Sequence, residues 1–140
     1  EKYYHFLNFY DILSLMAKKI LIADDDPAVS QTLKTALERN GYEADTAANG
    51  EECLQKVLIN KPDLLLLDIM MPRMDGFSFL VAIKELRALT GSAPQMPVVV
   101  ITGKDNEVNR NLMTHEDIKD YILKPFNLNE LLSKIKKILE

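Results

Sequence analysis

Short apolar runs alternate with longer segments of helical period from residue 18 to the end of the chain. The apolar runs predict five strands, at residues 20–23, 42–47, 64–67, 98–101 and 119–123. Between and after them, apolar residues recur at helical spacing, which predicts helices at 27–40, 50–60, 77–90 and 128–139. The segment at 104–117 is strongly polar, with only Val108, Leu112 and Met113 to bury, and is also predicted to be a helix. This alternation is typical of an α/β domain that has one parallel sheet with helices on both faces.

The composition of each strand predicts its place in the sheet. The first, third and fourth strands are continuously apolar, so we expect them at the centre, where both faces of a strand are buried. The second strand contains Glu43 and Asp45, and the fifth is short and also polar, so both should flank the others. The expected architecture is a doubly wound (βα)5 fold with strand order 2-1-3-4-5.

Polar residues follow the central strands and the fifth strand at their C-terminal ends. In chain order they are Asp24-Asp25-Asp26, Asp68, Thr102 and Lys124. In an open parallel sheet the ligand site lies beyond these ends, at the switch point between strands one and three. The sequence therefore predicts one cleft that contains several carboxylates, a hydroxyl and an ammonium group.

Such a cluster needs a cation. Two carboxylates about 5 Å apart repel by roughly 3 kcal/mol at an effective dielectric constant of about 20. Oxygen ligands without a nearby histidine or cysteine favour a hard ion, and few protein ligands favour Mg²⁺ over Ca²⁺. The metal ion and Lys124 would supply the positive charge that a phosphoryl group requires. Asp68 is then a candidate carboxylate nucleophile that forms an acyl phosphate.

Each of these residues also has an ordinary structural interpretation. Asp26 precedes Pro27 and is expected to cap a helix. Thr102 alone would be a strand-end residue, Lys124 alone a surface lysine, and the Asp75-Gly76 pair only a turn signal. The coincidence of these groups at one end of the sheet favours the functional interpretation.

Bulk composition excludes several other classes of function. The chain has 140 residues, enough for one domain with a sizeable core, and a net charge of -4 that predicts no direct nucleic-acid binding. Its single cysteine, Cys53, cannot form an internal disulfide and fits the cytoplasm, and we interpret it as a small helix residue. No apolar run approaches the ~20 residues that span a bilayer, so we expect no membrane partner.

Residues 1–15 are interpreted separately from the domain at 16–140. Five of the ten aromatic residues lie in positions 1–10, interleaved with polar residues, which does not fit a signal peptide. Met16-Ala17-Lys18-Lys19 is typical of a natural chain start, so the preceding residues are expected to be an extension, either native or introduced by cloning. If ordered, they should form an amphipathic helix that seeks an apolar surface.

Four stretches in this order and spacing resemble the receiver domain of two-component response regulators, over about residues 17–140. The stretches are ILIADDDP at 20–27, LLLLDIMMPRMDG at 64–76, VVVITG at 98–103 and YILKPF at 121–126. The resemblance implies a flavodoxin-like fold and a signalling phosphoacceptor, which catalyses only its own phosphotransfer and autodephosphorylation. It implies phosphorylation by a histidine kinase or a phosphotransfer protein.

The resemblance also implies a role for each site residue. Asp68 would be the phosphorylation site, Lys124 the phosphate-binding lysine and Thr102 the switch hydroxyl, with a cis Lys124–Pro125 bond. Tyr121 would be an aromatic rotamer switch. The magnesium site would consist of the acidic pair Asp24 and Asp25, Asp68 and the main-chain carbonyl of Met70, with Asp25 and Asp68 contacting the ion directly.

The resemblance also implies a partner surface. It would be formed by the helix at 104–117, the fifth strand and the final helix, and would bind a downstream effector or a second receiver. The chain departs from the family's usual Gly-Ala before the fifth strand, where it has Asp117-Ile118, and Ile118 could crowd that helix.

Two other classes of protein compete with this interpretation. A haloacid-dehalogenase-like phosphatase also uses an aspartate nucleophile and Mg²⁺, and Asp24-x-Asp26 superficially matches its first motif. Ala28 stands where that family expects threonine or valine, and Asp68 would have no role. A pseudo-receiver, which binds partners without phosphorylation, normally lacks an acidic residue or the lysine, whereas this chain has them all.

Overall fold

The computed structural model describes residues 6–103 and 114–140. Within these ranges, five parallel strands form one sheet in the order β2-β1-β3-β4-β5, which confirms the predicted topology. The strands are β1 (Lys19–Ala23), β2 (Glu43–Ala47), β3 (Leu64–Asp68), β4 (Val98–Thr102) and β5 (Ile118–Leu123). The continuously apolar strands are central, and β2 and β5 lie at the edges, as their polar residues predicted.

Five helices accompany the strands in the described part of the chain. They are α1 (Phe9–Met16), α2 (Pro27–Arg39), α3 (Gly50–Asn60), α4 (Gly76–Thr90) and α5 (Leu128–Leu139). Each of the last four helices has an N-cap residue whose side-chain oxygen accepts a backbone N–H of the first turn; these residues are Asp26, Asn49, Asp75 and Asn127. The predicted capping role of Asp26 is therefore confirmed.

The sheet separates two apolar clusters, one on each face. Leu65 and Leu67 of β3 belong to the cluster that includes residues of α3 and α4. Leu64 and Leu66, which alternate with them, belong to the cluster that includes residues of α2 and α5. Because neighbouring residues of a strand point to opposite faces, a strand buried on both faces must be apolar throughout.

The strand register brings the C-terminal ends of the central strands to one edge. Ala23 of β1 lies opposite Leu67 of β3, so Asp24 and Asp68, the next residue of each strand, are neighbours. Asp68 in turn lies opposite Ile101, which precedes Thr102. The fold thus positions the polar residues that follow the strands.

The predicted helix at 104–117 falls mostly outside the described residues. The last part of that range, residues 114–117, forms turns, so the prediction is wrong there. Asp117 and Ile118 are both buried, at 2% and 8% exposure, and Ile118 lies in the core cluster with α3 and α4. Any contact of Ile118 with residues 104–113 lies outside the described ranges.

Helix α1 lies in the segment expected to be helical. Asn8 and Asp11 exchange backbone-to-side-chain hydrogen bonds of 2.9 and 3.1 Å at its start, which stabilise the first turn. The large apolar side chains of Tyr10 and Met16 are 80% and 73% exposed, so α1 presents apolar surface to solvent. Among the described residues, no helix has both the length and the hydropathy to cross a bilayer.

Candidate functional site

Three carboxylates form a cluster at the C-terminal edge of the sheet. One oxygen from each of Asp24, Asp25 and Asp68 lies within 4.8 Å of the other two. Asp24 and Asp68 are buried, at 4% and 5% exposure, and Asp25 is exposed. The cluster therefore has two fixed, shielded members and one member that solvent reaches.

Lys124 brings the positive charge to this cluster. Its Nζ donates to Asp24 Oδ2 at 2.7 Å and to Asp68 Oδ2 at 3.3 Å. Its backbone N–H donates to the carbonyl of Thr102 at 2.8 Å, which joins the end of β5 to the end of β4. The Lys124–Pro125 bond is cis, as the resemblance implied.

The local chain holds Asp24 in place. Its Oδ1 accepts the Asp26 N–H at 2.9 Å, while its backbone N–H donates to Ala47 of the adjacent strand at 3.0 Å. Ser30 Oγ, in the first turns of α2, donates to the Asp24 carbonyl at 3.3 Å. Both carboxylate oxygens of Asp24 are thus engaged, one by the turn into α2 and one by Lys124.

Asp68 is the last residue of β3 and is partly withdrawn from solvent. Burial raises the pKa of Asp68 above its ordinary value of 3.8, and the nearby charge of Asp24 acts in the same direction. The Met70 N–H, which donates to Asp68 Oδ1 at 3.1 Å, and the charge of Lys124 oppose the rise. Because the net effect is a raised pKa, the Asp68 carboxylate binds a proton or a cation more readily than an exposed carboxylate does.

The charge state of Lys124 follows from the same contacts. Burial acts to lower the pKa of Lys124, but the hydrogen bond to Asp24 and the charges of Asp68 and Asp24 outweigh burial and raise it. The ammonium form is therefore favoured at neutral pH, where it can attract an anionic group.

The remaining predicted site residues lie around this cluster. Thr102 is buried, at 1% exposure, at the end of β4. Tyr121 is partly buried and packs against the apolar cluster that includes α3 and α4, and Met70 is 57% exposed in the loop after β3. The structure thus brings the three aspartates and Lys124 into one group, with Thr102 at the adjacent strand end and Tyr121 three residues before Lys124.

The donor set fits a hard cation. Three carboxylate oxygens meet within a span of 4.8 Å, with no histidine or cysteine among them. Mg²⁺ prefers such oxygen ligands and completes its octahedral coordination with water molecules. Water can reach the cluster because Asp25 is exposed. The residues present are therefore suited to the predicted magnesium site.

Sequence analysis missed a second buried polar group. Arg87 of α4 donates to Asp117 through Nη2 and to the Pro94 carbonyl through Nε at 3.2 Å, and Gln95 Nε2 donates to Asp117 at 2.9 Å. Asp117 also accepts the Val98 N–H on its carbonyl at 2.8 Å. The only signal in the sequence was the charged Asp117 just before the predicted fifth strand.

Solved structures with high similarity share this fold. A CheY-like response regulator receiver domain protein from Methanospirillum hungatei has a TM-score of 0.76 and 35% identity, covering 88% of this chain and 94% of that chain. A two-component response regulator from Clostridium difficile has a TM-score of 0.75 and 35% identity, covering 87% of this chain and 95% of that one.

Curated relatives agree with the structural matches. Response regulator MprA of Mycobacterium tuberculosis is 37% identical over 124 residues, which are 89% of this chain and 51% of that protein. The alkaline phosphatase synthesis transcriptional regulatory protein PhoP of Bacillus subtilis is 36% identical over 124 residues, 89% of this chain and 49% of that protein. The chain thus spans about half the length of these relatives.

The family model described as the response regulator receiver domain matches residues 20–136, which include β1 from its second residue, the other four strands whole and every residue of the acidic cluster. Together with the sheet order and the relatives, this match shows that the chain belongs to the response regulator receiver domain family.

Proposed function

We propose that Asp68 accepts a phosphoryl group from a phosphohistidine of a histidine kinase or phosphotransfer protein, in the presence of Mg²⁺. The observation that carries the proposal is the position of the Lys124 ammonium, 2.7 Å from Asp24 and 3.3 Å from Asp68 inside a cluster of three carboxylates. A nucleophilic carboxylate, a metal-binding pair and a fixed cation are the groups that phosphoryl transfer to an aspartate requires.

In the proposed reaction a carboxylate oxygen of Asp68 attacks the phosphorus atom. An O–P bond forms, the P–N bond to the donor imidazole breaks, and its electron pair returns to the ring nitrogen. The product is an acyl phosphate on Asp68 and a free imidazole on the donor. Water attacking the same phosphorus later restores the carboxylate and releases inorganic phosphate, so the domain resets itself and turns over no other substrate.

The charged residues have separate roles in this step. Asp24, Asp25, Asp68 and the carbonyl of Met70 would hold Mg²⁺, which supplies positive charge beside the phosphoryl oxygens. Lys124 also binds a phosphoryl oxygen, and this new contact replaces part of its contact with Asp24.

Phosphorylation then becomes a signal through Thr102 and Tyr121. The Thr102 hydroxyl donates to a phosphoryl oxygen and moves towards Asp68, and the partly buried Tyr121 ring turns into the space beside β5. This changes the surface near β5 and α5, where a downstream effector or a second copy of the chain binds, in the cytoplasm. The proposed surface extends to residues 104–113, outside the described ranges.

Asp26 argues against the phosphatase alternative. That class requires Asp24-x-Asp26 to be a catalytic motif. Here Asp26 Oδ1 is occupied by the Ala28 N–H at 2.9 Å as the cap of α2. A receiver that binds partners without phosphorylation is disfavoured because all four charged groups are present and meet.

Asp68→Asn tests the proposal directly. The amide keeps the shape of the side chain but is neither a nucleophile nor a strong magnesium ligand, so acetyl phosphate with Mg²⁺ should no longer label the protein. Intact-mass spectrometry measures the added phosphoryl group. Asp45→Asn, on the edge strand β2, is the matched control and should be labelled like the wild type. Labelling of Asp68→Asn at the wild-type level would disprove the assignment.

A further inference from the structure

The loop between β3 and α4, residues 69–75, is held at its far end by a helix that contributes no site residue. The Gly50 N–H, at the first position of α3, donates to the carbonyl of Met74 at 2.7 Å. Met74 is six residues beyond Asp68 in the chain. The start of α3 therefore contacts the same loop that begins at the candidate phosphoacceptor.

Position 50 requires a glycine because a side chain there would clash with Met74, and not because of its backbone conformation. A Cβ atom built on Gly50 would lie 2.2 Å from the Met74 carbonyl oxygen and 2.6 Å from both Met74 Cβ and Cγ. The positive-φ residues of the described chain do not include Gly50, so its conformation is open to any residue. Because the nearest atom belongs to the backbone, a side chain at position 50 would have to displace the loop itself.

A second close approach fixes the near end of the loop. The Gly76 N–H donates to the Ile69 carbonyl at 3.0 Å, and a Cβ on Gly76 would lie 2.6 Å from the Asp68 carbonyl oxygen. Between these two points Arg73 adopts a left-handed conformation, with φ of 66°. The loop is thus clamped at both ends, and Met70 lies between the clamps.

Helix α3 is a firm support for such a clamp. Asn49 caps it by accepting the Glu52 N–H at 2.9 Å, and Cys53 and Val57 are fully buried in the core. A displacement at position 50 is therefore expected to move the loop and not the helix, because the helix is anchored by two buried side chains.

We propose that Gly50 is a positioning residue for the magnesium site. Through its contact with Met74 it fixes the loop that carries Met70, two residues after Asp68. The inference rests on the proposed function, because it concerns how the loop presents its metal ligand. Mg²⁺ demands near-ideal octahedral geometry, and groups that orient its ligands commonly change metal affinity by about 10- to 100-fold.

Gly50→Ala should therefore weaken Mg²⁺ binding by about tenfold or more without altering any ligand. Isothermal titration calorimetry measures the dissociation constant on folded protein. Val57→Ala is the matched control, since it leaves a cavity beside the same helix, seven positions beyond Gly50, and destabilises the fold without a clash with the Met74 carbonyl. It should bind Mg²⁺ like the wild type.

Hydrogen exchange on the wild type provides a test that holds even if Gly50→Ala does not fold. If opening of the loop breaks both the Gly50–Met74 hydrogen bond and the metal site, Mg²⁺ at ten times its dissociation constant should slow exchange of the Gly50 amide about tenfold. The Lys61 amide, which donates to the Val57 carbonyl at the other end of α3, should not respond.

The outcomes separate the two proposals. The positioning role alone would be overturned if folded Gly50→Ala bound Mg²⁺ with wild-type affinity. It would also be overturned if the wild type bound Mg²⁺ but exchange of its Gly50 amide did not slow. A wild type that binds no Mg²⁺ would overturn the proposed function and the positioning role with it.

Discussion

Lys124 is closer to Asp24 than to the candidate phosphoacceptor, by 2.7 against 3.3 Å. The ammonium therefore already has a strong partner before a phosphoryl group arrives, and Asp24 holds it within reach of Asp68. A lysine fixed in this way loses little freedom when it binds a phosphoryl oxygen, which is the advantage of a preorganised cation.

Lys124→Ala should separate metal binding from phosphoryl transfer. The ammonium is not a metal ligand, so Mg²⁺ should still bind, whereas labelling by acetyl phosphate should slow by about 10²- to 10³-fold. Calorimetry and intact-mass kinetics measure the two effects. Lys134→Ala removes a lysine that pairs with Asp120 on β5 and should leave both unchanged. The division of roles would be wrong if Lys124→Ala lost as much Mg²⁺ affinity as Asp25→Ala.

Cys53 is predicted to be unreactive in the folded protein. Burial, followed by the nearby charge of Glu52, raises the pKa of its thiol from an ordinary 9.0 to about 12. At pH 8 the thiolate fraction should fall by about three orders of magnitude, so Ellman's reagent should react only after unfolding in urea. Rapid labelling of the native protein would contradict the buried position.

The same thiol should make stability depend on pH in alkaline solution. Between about pH 9 and 12 the unfolded thiol ionises while the native thiol keeps its proton, so the native state binds more protons. Stability should then decrease with rising pH, by at most about 1.4 kcal/mol per pH unit from this group. Cys53→Ala should remove that component, which urea titrations of both proteins at several pH values would measure.

At the scale of elements, the Arg87–Asp117 pair connects the last turn of α4 to the turn before β5. The Asp117 side chain is 2% exposed and that of Arg87 15%, so each charge is largely shielded from water. Gln95 and the Pro94 carbonyl supply further hydrogen bonds from the α4–β4 connection. The network therefore joins the end of α4, the α4–β4 connection and the turn before β5.

Arg87→Met should be strongly destabilising, because it leaves the Asp117 carboxylate buried without its partner. Breaking a buried pair in this way costs about 3–5 kcal/mol in the free energy of unfolding, measured by urea denaturation. Lys134→Met breaks the more exposed pair with Asp120 and should cost at most about 1 kcal/mol. Similar losses in the two variants would refute a structural role for the Arg87 pair.

Elements whose patterns are local could be predicted from the sequence, whereas contacts between distant positions could not. Apolar runs predicted the five strands, and helical spacing predicted helices α2 to α5. The Arg87–Asp117 pair joins positions 30 residues apart, and the approach of Gly50 to Met74 joins the start of a helix to a distant loop. Neither contact leaves a periodic signal, since each depends on how finished elements meet.

At the scale of the whole molecule, sheet order determined how much of the site was predictable. Parallel strands end at one edge, so the aspartates, Thr102 and Lys124 could be grouped without coordinates. Which carboxylate Lys124 contacts most closely could not be deduced, because Asp24 and Asp68 end neighbouring strands and differ only in the turns that follow them.

Thr102→Ala tests whether the site communicates with the rest of the molecule. The variant should still accept phosphate at Asp68. It should not shift to the active conformation as the wild type does, because it lacks the hydroxyl contact that differs between the two conformations. Amide chemical-shift changes over residues 114–126 on adding beryllofluoride and Mg²⁺ should be much smaller than in the wild type. Thr90→Ala, at the exposed end of α4, is the control and should respond fully. A full response in Thr102→Ala would exclude the hydroxyl as the coupling element.

The contact between Asp24 and Lys124 spans 100 positions of the chain and therefore has a consequence for biosynthesis. Ribosomes add about 5–20 residues per second, so Asp24 and Asp68 emerge seconds before Lys124. In that interval the nascent chain carries Asp24 and Asp68 without the ammonium that contacts both in the folded protein, and any approach of the two carboxylates is opposed by their mutual repulsion. On the proposed mechanism the complete site forms only after β5 has been synthesised, so a chain that ends before Lys124 should accept phosphate more slowly than the full chain, as Lys124→Ala should.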